Sequence, residues 1–172
     1  MITLDVSMQK YYLQPGFIFV SEQPYYIHTV LGSCVSVCVW DVVKKYGGMN
    51  HYIYSKPFGN EYNARFGTVS IPHLLKLMAG NGSLPQNLRA HIIGGGYSIY
   101  ASPAIGEANK EVAEEILDRN GILVVTKDTG GQTGRKVVFN NYNGEIIVYK
   151  GIDVRKDDWY NSHEKQDQDP DS

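Results

Sequence analysis

Cysteine is scarce in this chain: among 172 residues there are only two, Cys34 and Cys38, in one apolar stretch. If that stretch is a strand, the two residues lie about 13 Å apart at roughly 3.3 Å per residue, too far for a disulfide bond. If it is a helix they approach, but a reducing cytoplasm still favours thiols. Both cysteines are therefore expected to be free.

An excess of basic charge is also missing. The formal net charge is -2 and the pI is about 6.2, with no run of Lys and Arg, so a nucleic-acid partner is not expected. No apolar run approaches the roughly 20 residues of a membrane-spanning helix. The first ten residues lack the basic and then apolar segments of a secretory signal. These absences predict a cytoplasmic protein without membrane insertion.

The charge that is present is unevenly distributed. Residues 153–172 carry seven acidic and three basic side chains, whereas residues 1–152 carry eleven acidic and thirteen basic ones. The apolar pattern also fades after Gly151. A chain of this size buries roughly two-thirds of its unfolded surface and needs no metal or cofactor to fold. We expect one domain over residues 1–152 and an acidic, disordered tail over 153–172.

The spacing of apolar residues predicts many strands and two helices. Helical periodicity favours one helix from about Ser70, as its N-cap, to Gly80 or Gly82, and a second over residues 107–119, ended by Asn120-Gly121. Short β-branched and aromatic stretches bounded by turn residues predict strands. These strands cover residues 16–20, 25–31, 35–40, 49–54, 90–93, 122–126, 136–139 and 145–149. Two helices against many strands indicate an α+β layered domain.

The residues around Cys34 suggest a chemical role. Gly32 and Ser33 directly precede it and allow a sharp turn into an apolar strand, which can leave the thiol at the strand end beside free backbone N–H groups. Such a turn suits a nucleophile and an oxyanion site. A free cysteine is, however, commonly a small buried core residue. The pattern leaves both roles open for Cys34 and assigns Cys38 to the core.

His51 lies on the next predicted strand, and a hairpin between the two strands would bring its imidazole near Cys34. Direct opposition requires a turn centred between Val42 and Val43, whereas Gly47-Gly48 favours a later and wider turn. A histidine in a half-buried strand is also commonly a hydrogen-bonded core residue. Proximity to Cys34 is therefore a hypothesis at this point.

Metal and phosphate sites are the competing interpretations. The spacing Cys34-x-x-x-Cys38 lacks the second ligand pair of a zinc site, and the remaining histidines form no i, i+4 pair, so no metal is expected. Gly94-Gly95-Gly96 lacks the spacing of phosphate-binding loops and instead predicts a tight turn or a close backbone approach. Asp128-Thr-Gly-Gly131 predicts a turn.

Several motifs occur along the chain in a fixed order. They are Leu31-Gly-Ser-Cys-Val-Ser-Val-Cys-Val-Trp-Asp41, Gly48-Met-Asn-His51, Arg65-Phe66, Ile93-Gly94-Gly95, Ile105-Gly106-x-x-Asn109, and Asp128-Thr-Gly-Gly131 with Arg135. With these motifs, over roughly residues 12–150, the chain resembles the chemoreceptor glutamine deamidases, the CheD family of bacterial chemotaxis. The resemblance implies a three-layer α/β/β sandwich in a single domain.

The resemblance also implies an activity. Members of the family hydrolyse glutamine side-chain amides on cytoplasmic helices of chemotaxis receptors, giving glutamate and ammonia without a cofactor. Carried over by position, the catalytic cysteine falls on Cys34 and the catalytic histidine on His51. The family's third residue, an upstream threonine, falls on Thr29. His28 is the alternative, because the family spacing lands on it, and one step along a strand reverses the face of a side chain.

Two other interpretations remain. Family members also engage a phosphatase of the same pathway, of the CheC type, so the chain could be a binding module that regulates this partner with little or no deamidase activity. It could also be a cysteine amidase or esterase on another protein, since receptor methyl-glutamate is chemically close to glutamine. The presence of both Cys34 and His51 favours the deamidase.

Overall fold

The computed structural model describes residues 7–99 and 102–151, so the predicted tail over 153–172 lies outside the described residues. The described part contains two helices, one short 3-10 turn (Pro85–Asn87) and nine strands. The helices are α1 (Gly67–Gly80) and α2 (Ala104–Arg119). The strands are β1 (Gln9–Tyr12), β2 (Ile18–Ser21), β3 (Tyr25–Leu31), β4 (Val35–Asp41), β5 (Tyr46–Asn50), β6 (Leu88–Gly94), β7 (Leu123–Thr129), β8 (Gly134–Asn140) and β9 (Ile146–Gly151).

The strands form two mixed sheets. The five-stranded sheet has the order β2-β5-β4-β6-β7, and the four-stranded sheet has the order β1-β3-β8-β9. Both helices pack on one face of the five-stranded sheet, and the four-stranded sheet covers its other face. The predicted single-domain α+β sandwich with α/β/β layers is therefore confirmed. In the described part, neither helix is long and apolar enough to cross a membrane.

Strand β4 explains why the sequence around Cys34 is so continuously apolar. It is the central strand of its sheet, and all seven of its residues are buried. Val35, Val37 and Val39 pack in the core below the helices, whereas Cys38 and Trp40 pack in the core between the sheets. A strand covered on both faces has no solvent side that would require polar residues. The prediction that Cys38 is a core residue is confirmed.

The turn between β4 and β5 does not include Gly47 and Gly48. Asp41 pairs with Tyr46, so residues 42–45 form the turn and both glycines lie inside β5. A Cβ at Gly47 would lie 2.2 Å from the carbonyl oxygen of Val39. One at Gly48 would lie 2.4 Å from the carbonyl oxygen of Phe19. The glycines are thus required by close strand approach rather than by turn geometry. The turn itself is later and wider than the one that direct opposition of Cys34 and His51 would need, as predicted, because its four residues are centred between Val43 and Lys44.

Helix α1 begins earlier than the predicted N-cap at Ser70. It covers Gly67–Gly80, with Phe66 at the N-cap position without a side-chain capping bond, and Ser70 is buried inside the helix. A Cβ at Gly67 would lie 2.8 Å from Val112, so packing of this segment against α2 fixes the start. Pro72 is tolerated in the second turn at the loss of one helical hydrogen bond. The predicted end at Gly80 is confirmed.

Candidate active site

The turn that precedes β4 is held from behind by backbone hydrogen bonds. The carbonyl of Gly32 accepts the N–H of Gly96 at 3.0 Å, and that of Cys34 accepts the N–H of Gly95 at 2.8 Å. A Cβ at Gly94, where φ is +117°, would lie 2.2 Å from the Cys34 carbonyl oxygen. Only glycine permits this approach, so the predicted close backbone approach at residues 94–96 is confirmed.

Helix α2 packs against the glycine segment 94–96, which holds the turn before Cys34. A Cβ at Gly106 would lie 2.2 Å from the carbonyl oxygen of Gly95, and one at Gly95 would lie 2.7 Å from that of Gly106. The first turn of the helix therefore rests backbone against backbone on the residues that hold Cys34. This contact connects the position of α2 to the position of the thiol.

Cys34 directly precedes β4, and its side chain faces the space between the two sheets. Its side chain packs with Leu31, Ile93 and Val137, and Ile53 packs against the same cluster. Only 7% of the residue is exposed. The thiol is free, as predicted. Any group that reacts with it must therefore reach a largely buried thiol.

His51 is held by an irregular pairing between β5 and the chain that leads into β2. Residues Gln14–Phe17 form a turn in which Phe17 N–H donates to the Gln14 carbonyl at 3.2 Å and Gly16 has φ of +87°. Gly16 N–H then donates to the His51 carbonyl at 2.8 Å, and His51 N–H donates to the Phe17 carbonyl at 3.1 Å. Gly16 and Phe17 thus lie opposite the single residue His51, which is the arrangement of a glycine β-bulge. Such bulges commonly orient a side chain at a functional site.

The Thr29 side chain bridges the two sheets at His51. Thr29 lies on β3 of the four-stranded sheet, and its Oγ1 is 2.7 Å from His51 Nδ1. The same hydroxyl donates to the Leu13 carbonyl at 2.9 Å. A hydroxyl has one hydrogen and a carbonyl can only accept, so Thr29 Oγ1 must accept from Nδ1–H. In the neutral imidazole, Nε2 then carries the lone pair and can take up a proton.

Cys34 and His51 are diagonal neighbours on one face of the five-stranded sheet. The β4–β5 register pairs Cys38 with Met49, and an isolated bridge pairs Val35 with Tyr52. This register places His51 opposite Ser36, two residues along the strand from Cys34 and therefore on the same face of the sheet as Cys34. Both side chains face the four-stranded sheet, His51 through Thr29 and Cys34 through Val137. Diagonal neighbours lie about 7–8 Å apart along the backbone, within reach of an aromatic side chain.

His28, the alternative to Thr29, lies on the opposite face of β3 because successive side chains alternate. Its ring stacks on Tyr12, with centroids 4.9 Å apart. Burial, followed by the charge of Lys10, lowers the pKa of His28 to about 4, so the ring is neutral at pH 7. Of the two candidates, Thr29 is the one in hydrogen-bond contact with His51.

Asn109 is a residue of the site whose role the sequence motif alone does not reveal. It is fully buried on α2, and its Nδ2 donates to the carbonyls of Ser33 at 2.9 Å and Ile53 at 2.8 Å. One side chain therefore ties the turn before Cys34 to the segment after His51. Its Oδ1 has no hydrogen-bond partner among the described residues, a cost of about 1–3 kcal/mol. The two donated bonds must outweigh that cost.

We expect Asn109→Ala to destabilise the fold by about 2–4 kcal/mol, since two partly buried carbonyls lose their donor. Urea unfolding measures this change, and the alkylation rate of Cys34 by iodoacetamide reports the displaced turn. Asn120→Ala is the matched control: its Nδ2 donates to the Ile116 carbonyl within the same helix, and its loss should cost at most about 1 kcal/mol. Equal effects of the two substitutions would contradict the role of Asn109.

Tyr52 lies between the thiol and α2. Its hydroxyl donates to the Asn109 carbonyl at 2.5 Å. Burial raises the pKa of Tyr52 well above its usual value, and the charge of a Cys34 thiolate raises it further. The phenol therefore stays protonated and neutral beside Cys34. Cys38, in contrast, is removed from chemistry because complete burial raises the pKa of its thiol far above the usual range.

Of the predicted turn at Asp128-Thr-Gly-Gly131, Asp128 and Thr129 are the last residues of β7, and only Gly130 and Gly131 follow the strand, both with positive φ. Gly130 N–H donates to the Gly94 carbonyl at 3.0 Å. Buried Arg135 contacts Asp128 at 3.2 Å and donates to the Gly130 carbonyl at 2.8 Å. The Arg135–Asp128 ion pair, together with the bond from Arg135 to the Gly130 carbonyl, thus fixes Gly130, whose N–H bonds to Gly94. Within residues 7–99 and 102–151, no three His, Cys, Asp or Glu side chains cluster as metal ligands would.

Comparison with known proteins gives a consistent family. The family model described as CheD chemotactic sensory transduction matches residues 54–150, more than half of the chain. A protein of Anaeromyxobacter dehalogenans named probable chemoreceptor glutamine deamidase CheD 1 is 40% identical over 140 residues, covering 80% of this chain and 82% of its own. Similarly named proteins of Trichlorobacter lovleyi and Vibrio vulnificus are 36% and 35% identical; they cover 84% and 76% of this chain, and 92% and 66% of their own lengths.

Proposed function

This chain belongs to the CheD family of chemotactic sensory transduction, and from that membership we propose that it is a protein-glutamine deamidase. Its substrates are glutamine side chains on the cytoplasmic helices of methyl-accepting chemotaxis receptors, which it converts to glutamate with release of ammonia. The relatives are named for this reaction. The observation that carries the proposal is the contact between Thr29 and His51 on the face of the sheet that also bears Cys34.

The proposed reaction begins with proton transfer from the Cys34 thiol to His51. A thiolate is the nucleophilic form of cysteine, and a histidine partner makes it available near neutral pH. The sulfur attacks the carboxamide carbon, and the carbonyl π electrons move to oxygen to give a tetrahedral oxyanion. His51 then returns its proton to the leaving nitrogen as the C–N bond breaks. Ammonia departs and a thioester remains.

Water completes the cycle. His51 takes a proton from a water molecule, whose oxygen attacks the thioester carbonyl, and the C–S bond breaks to release glutamate and the thiolate. No other reactant is needed. The backbone N–H groups of Ser33 and Cys34 are the proposed oxyanion donors, since the carbonyls of Gly32, Ser33 and Cys34 are all engaged behind the turn. Such a donor contributes about 3 kcal/mol in known hydrolases.

Thr29 is proposed as the residue that orients the imidazole. By accepting Nδ1–H it keeps the lone pair on Nε2, the nitrogen that must exchange protons with the thiol and the leaving group. The hydroxyl is itself fixed by donation to Leu13. The chain of contacts therefore runs from the Leu13 carbonyl to the Thr29 hydroxyl and on to the His51 imidazole.

The test of the function is direct. The purified protein is incubated with the cytoplasmic fragment of a chemoreceptor from the same organism, and digested fragments are searched by mass spectrometry for the gain that accompanies conversion of an amide to an acid. Ammonia release is measured in parallel. Site-specific conversion at a few glutamines is expected. Absence of both signals on an intact, folded receptor fragment would refute the assignment and would favour the regulatory binding module.

Thr29→Val separates the two candidates for the third residue. Valine keeps the shape but removes the acceptor, and loss of a hydrogen bond of about 1–3 kcal/mol should lower kcat roughly 10- to 100-fold. His28→Phe retains a ring to stack on Tyr12 and should leave kcat within about twofold. Initial rates of ammonia release measure both. The opposite pattern would transfer the orienting role to His28.

A further inference from the structure

Ser36 is a polar residue in the middle of an apolar strand. It lies on β4 between Val35 and Val37 and is completely buried. Its Oγ has no hydrogen-bond partner among the described residues. Most buried hydroxyls bond to a protein group or to bound water, and one left unsatisfied lowers the stability of the fold. Packing therefore does not explain why this position carries a serine.

The Ser36 hydroxyl lies on the face of the sheet that carries the proposed catalytic groups. Side chains alternate along a strand, so Ser36 faces the same side as Cys34 and Cys38, which both pack between the two sheets. Across the β4–β5 register it lies directly opposite His51. Opposite residues on neighbouring antiparallel strands have Cβ atoms about 4.5–5.5 Å apart. The hydroxyl and the imidazole are therefore immediate neighbours.

The other side chains around Ser36 on this face are apolar or already engaged. On its other side β4 pairs with β6, where Ser36 lies opposite Ile93, a fully buried apolar residue. Along β5, Met49 is its diagonal neighbour and packs in the core between the sheets. The Thr29 hydroxyl, on the facing sheet, already donates one hydrogen bond and accepts another. Of these described side chains, Ser36 is the one whose hydroxyl is unused.

The second half of the proposed reaction needs a water molecule at a defined place. While the thioester exists, the Cys34 sulfur is bonded to the acyl group and has no proton to share with His51. The imidazole must then accept a proton from a water whose oxygen faces the thioester carbon. A water held in apolar surroundings needs at least two polar partners, and His51 Nε2 supplies one of them. The second must be a polar group close to the imidazole.

We propose that the Ser36 hydroxyl positions the water that hydrolyses the thioester, an inference that rests on the proposed deamidase function. Polar groups that are neighbours without a direct hydrogen bond are commonly joined by one water molecule. Ser36 Oγ and His51 Nε2 hold the water between them. The buried, unpaired hydroxyl opposite the imidazole is the observation that supports this role.

The step balances without any further reactant. The water oxygen forms a bond to the thioester carbon while one of its protons passes to His51 Nε2. The C–S bond then breaks, and its electron pair goes to the Cys34 sulfur, which leaves the thiolate beside the imidazolium. The released acid loses its remaining proton to solvent and becomes glutamate. Ser36 is a positioning residue in this step, because it hydrogen-bonds to the water without exchanging a proton.

The experiment separates formation of the acyl-enzyme from its hydrolysis. The probe is p-nitrophenyl acetate, which acylates a reactive thiol and releases a coloured product without any receptor. The initial burst of product reports acylation, and the later linear phase reports hydrolysis of the thioester. Cys34→Ala supplies the background reaction. The receptor cytoplasmic fragment is the second acyl donor, because its thioester with Cys34 is a covalent complex of the two proteins that intact-mass measurement detects.

Ser70→Ala is the matched control for Ser36→Ala. Ser70 is a second completely buried serine whose Oγ has no partner among the described residues, but it lies on α1, on the other side of the five-stranded sheet. Each substitution removes a hydroxyl that makes no described hydrogen bond, so the urea midpoint of both variants is expected to stay the same or rise. A purely structural role for Ser36 predicts the same kinetics for both variants.

Ser36→Ala is expected to slow the linear phase about tenfold or more, because the attacking water loses its fixed position. The burst rate should stay within about twofold of the wild type, and acylated Cys34 should accumulate with both acyl donors. Ser70→Ala should match the wild type in both phases. An unchanged linear phase in Ser36→Ala overturns the proposal, as does a burst that is slowed to the same degree as the linear phase.

Receptor deamidation is decided separately from the role of Ser36. A chain that shows these ester kinetics but converts no receptor glutamine loses the proposed function and keeps the position of the water. A deamidase whose ester and receptor thioesters turn over equally fast in the wild type and in Ser36→Ala keeps the function and loses the role of Ser36.

Discussion

Cys34→Ala is expected to reduce deamidation of receptor glutamines to background, a loss of at least about 10³-fold in kcat. Alanine removes the sulfur that is proposed to attack the amide, and with it the proposed thioester. The substitution deletes one buried atom from the cluster with Leu31, Ile93 and Val137, which should cost about 1 kcal/mol of stability. The loss of activity should therefore occur in a folded protein, as thermal unfolding can verify.

Cys38→Ala is the matched control for this substitution. Cys38 lies on β4, four residues after Cys34 and facing the same side of the sheet, but it is fully buried and its thiol stays protonated. Activity should remain within about twofold, because the stability cost is of the same size and no reacting group is lost. Deamidation that survives Cys34→Ala, or that disappears equally in Cys38→Ala, would refute Cys34 as the nucleophile.

His51→Ala is expected to lower kcat by about 10³-fold or more, because both proton transfers lose their carrier. The Cys34 thiol also loses the imidazole that is proposed to accept its proton. Iodoacetamide should therefore react more slowly with Cys34 at pH 7, and the difference from the wild type should narrow above about pH 9, where an ordinary thiol ionises unaided. This pH dependence distinguishes loss of a base from general damage to the site.

His73→Gln serves as the histidine control. His73 is exposed on α1, on the helical side of the five-stranded sheet, and its replacement should change neither kcat nor the alkylation profile. If His51→Ala alters the rate of ammonia release but leaves the alkylation profile at that of the wild type, His51 does not act on the thiol. The mechanism would then need another base.

The α+β class and the free thiols were predictable because they depend on local signals, whereas the order of the three layers came from the family resemblance. The aromatic and β-branched stretch that follows Pro24 gives the bounds of β3, Tyr25–Leu31, as the structure has them. The mismatch of Gly94-Gly95-Gly96 to phosphate loops predicted a tight turn or a close backbone approach, and the contacts with Cys34 and Gly106 show the close approach. Such features depend mainly on the residues that adopt them and their immediate neighbours in the sequence.

What the sequence did not reveal are pairings between distant segments. Pro15-Gly16 is a turn signal, but nothing in it predicts that the turn ends opposite His51. The same holds for Asn109, whose partners, Ser33 and Ile53, are 76 and 56 residues away along the chain. The choice of Thr29 over His28 required knowing which face of β3 meets the other sheet. These facts are properties of the stacked layers.

The division of the site between two sheets bears on how the protein is made. Cys34 and His51 belong to the five-stranded sheet, but Thr29 lies on β3, whose partner β8 is among the last strands to be synthesised. A nascent chain that has left the ribosome only as far as α2 therefore possesses the thiol and the imidazole without the sheet that aligns them. The aligned arrangement is therefore expected to be complete only after β8 has paired with β3, when synthesis of the domain is nearly finished.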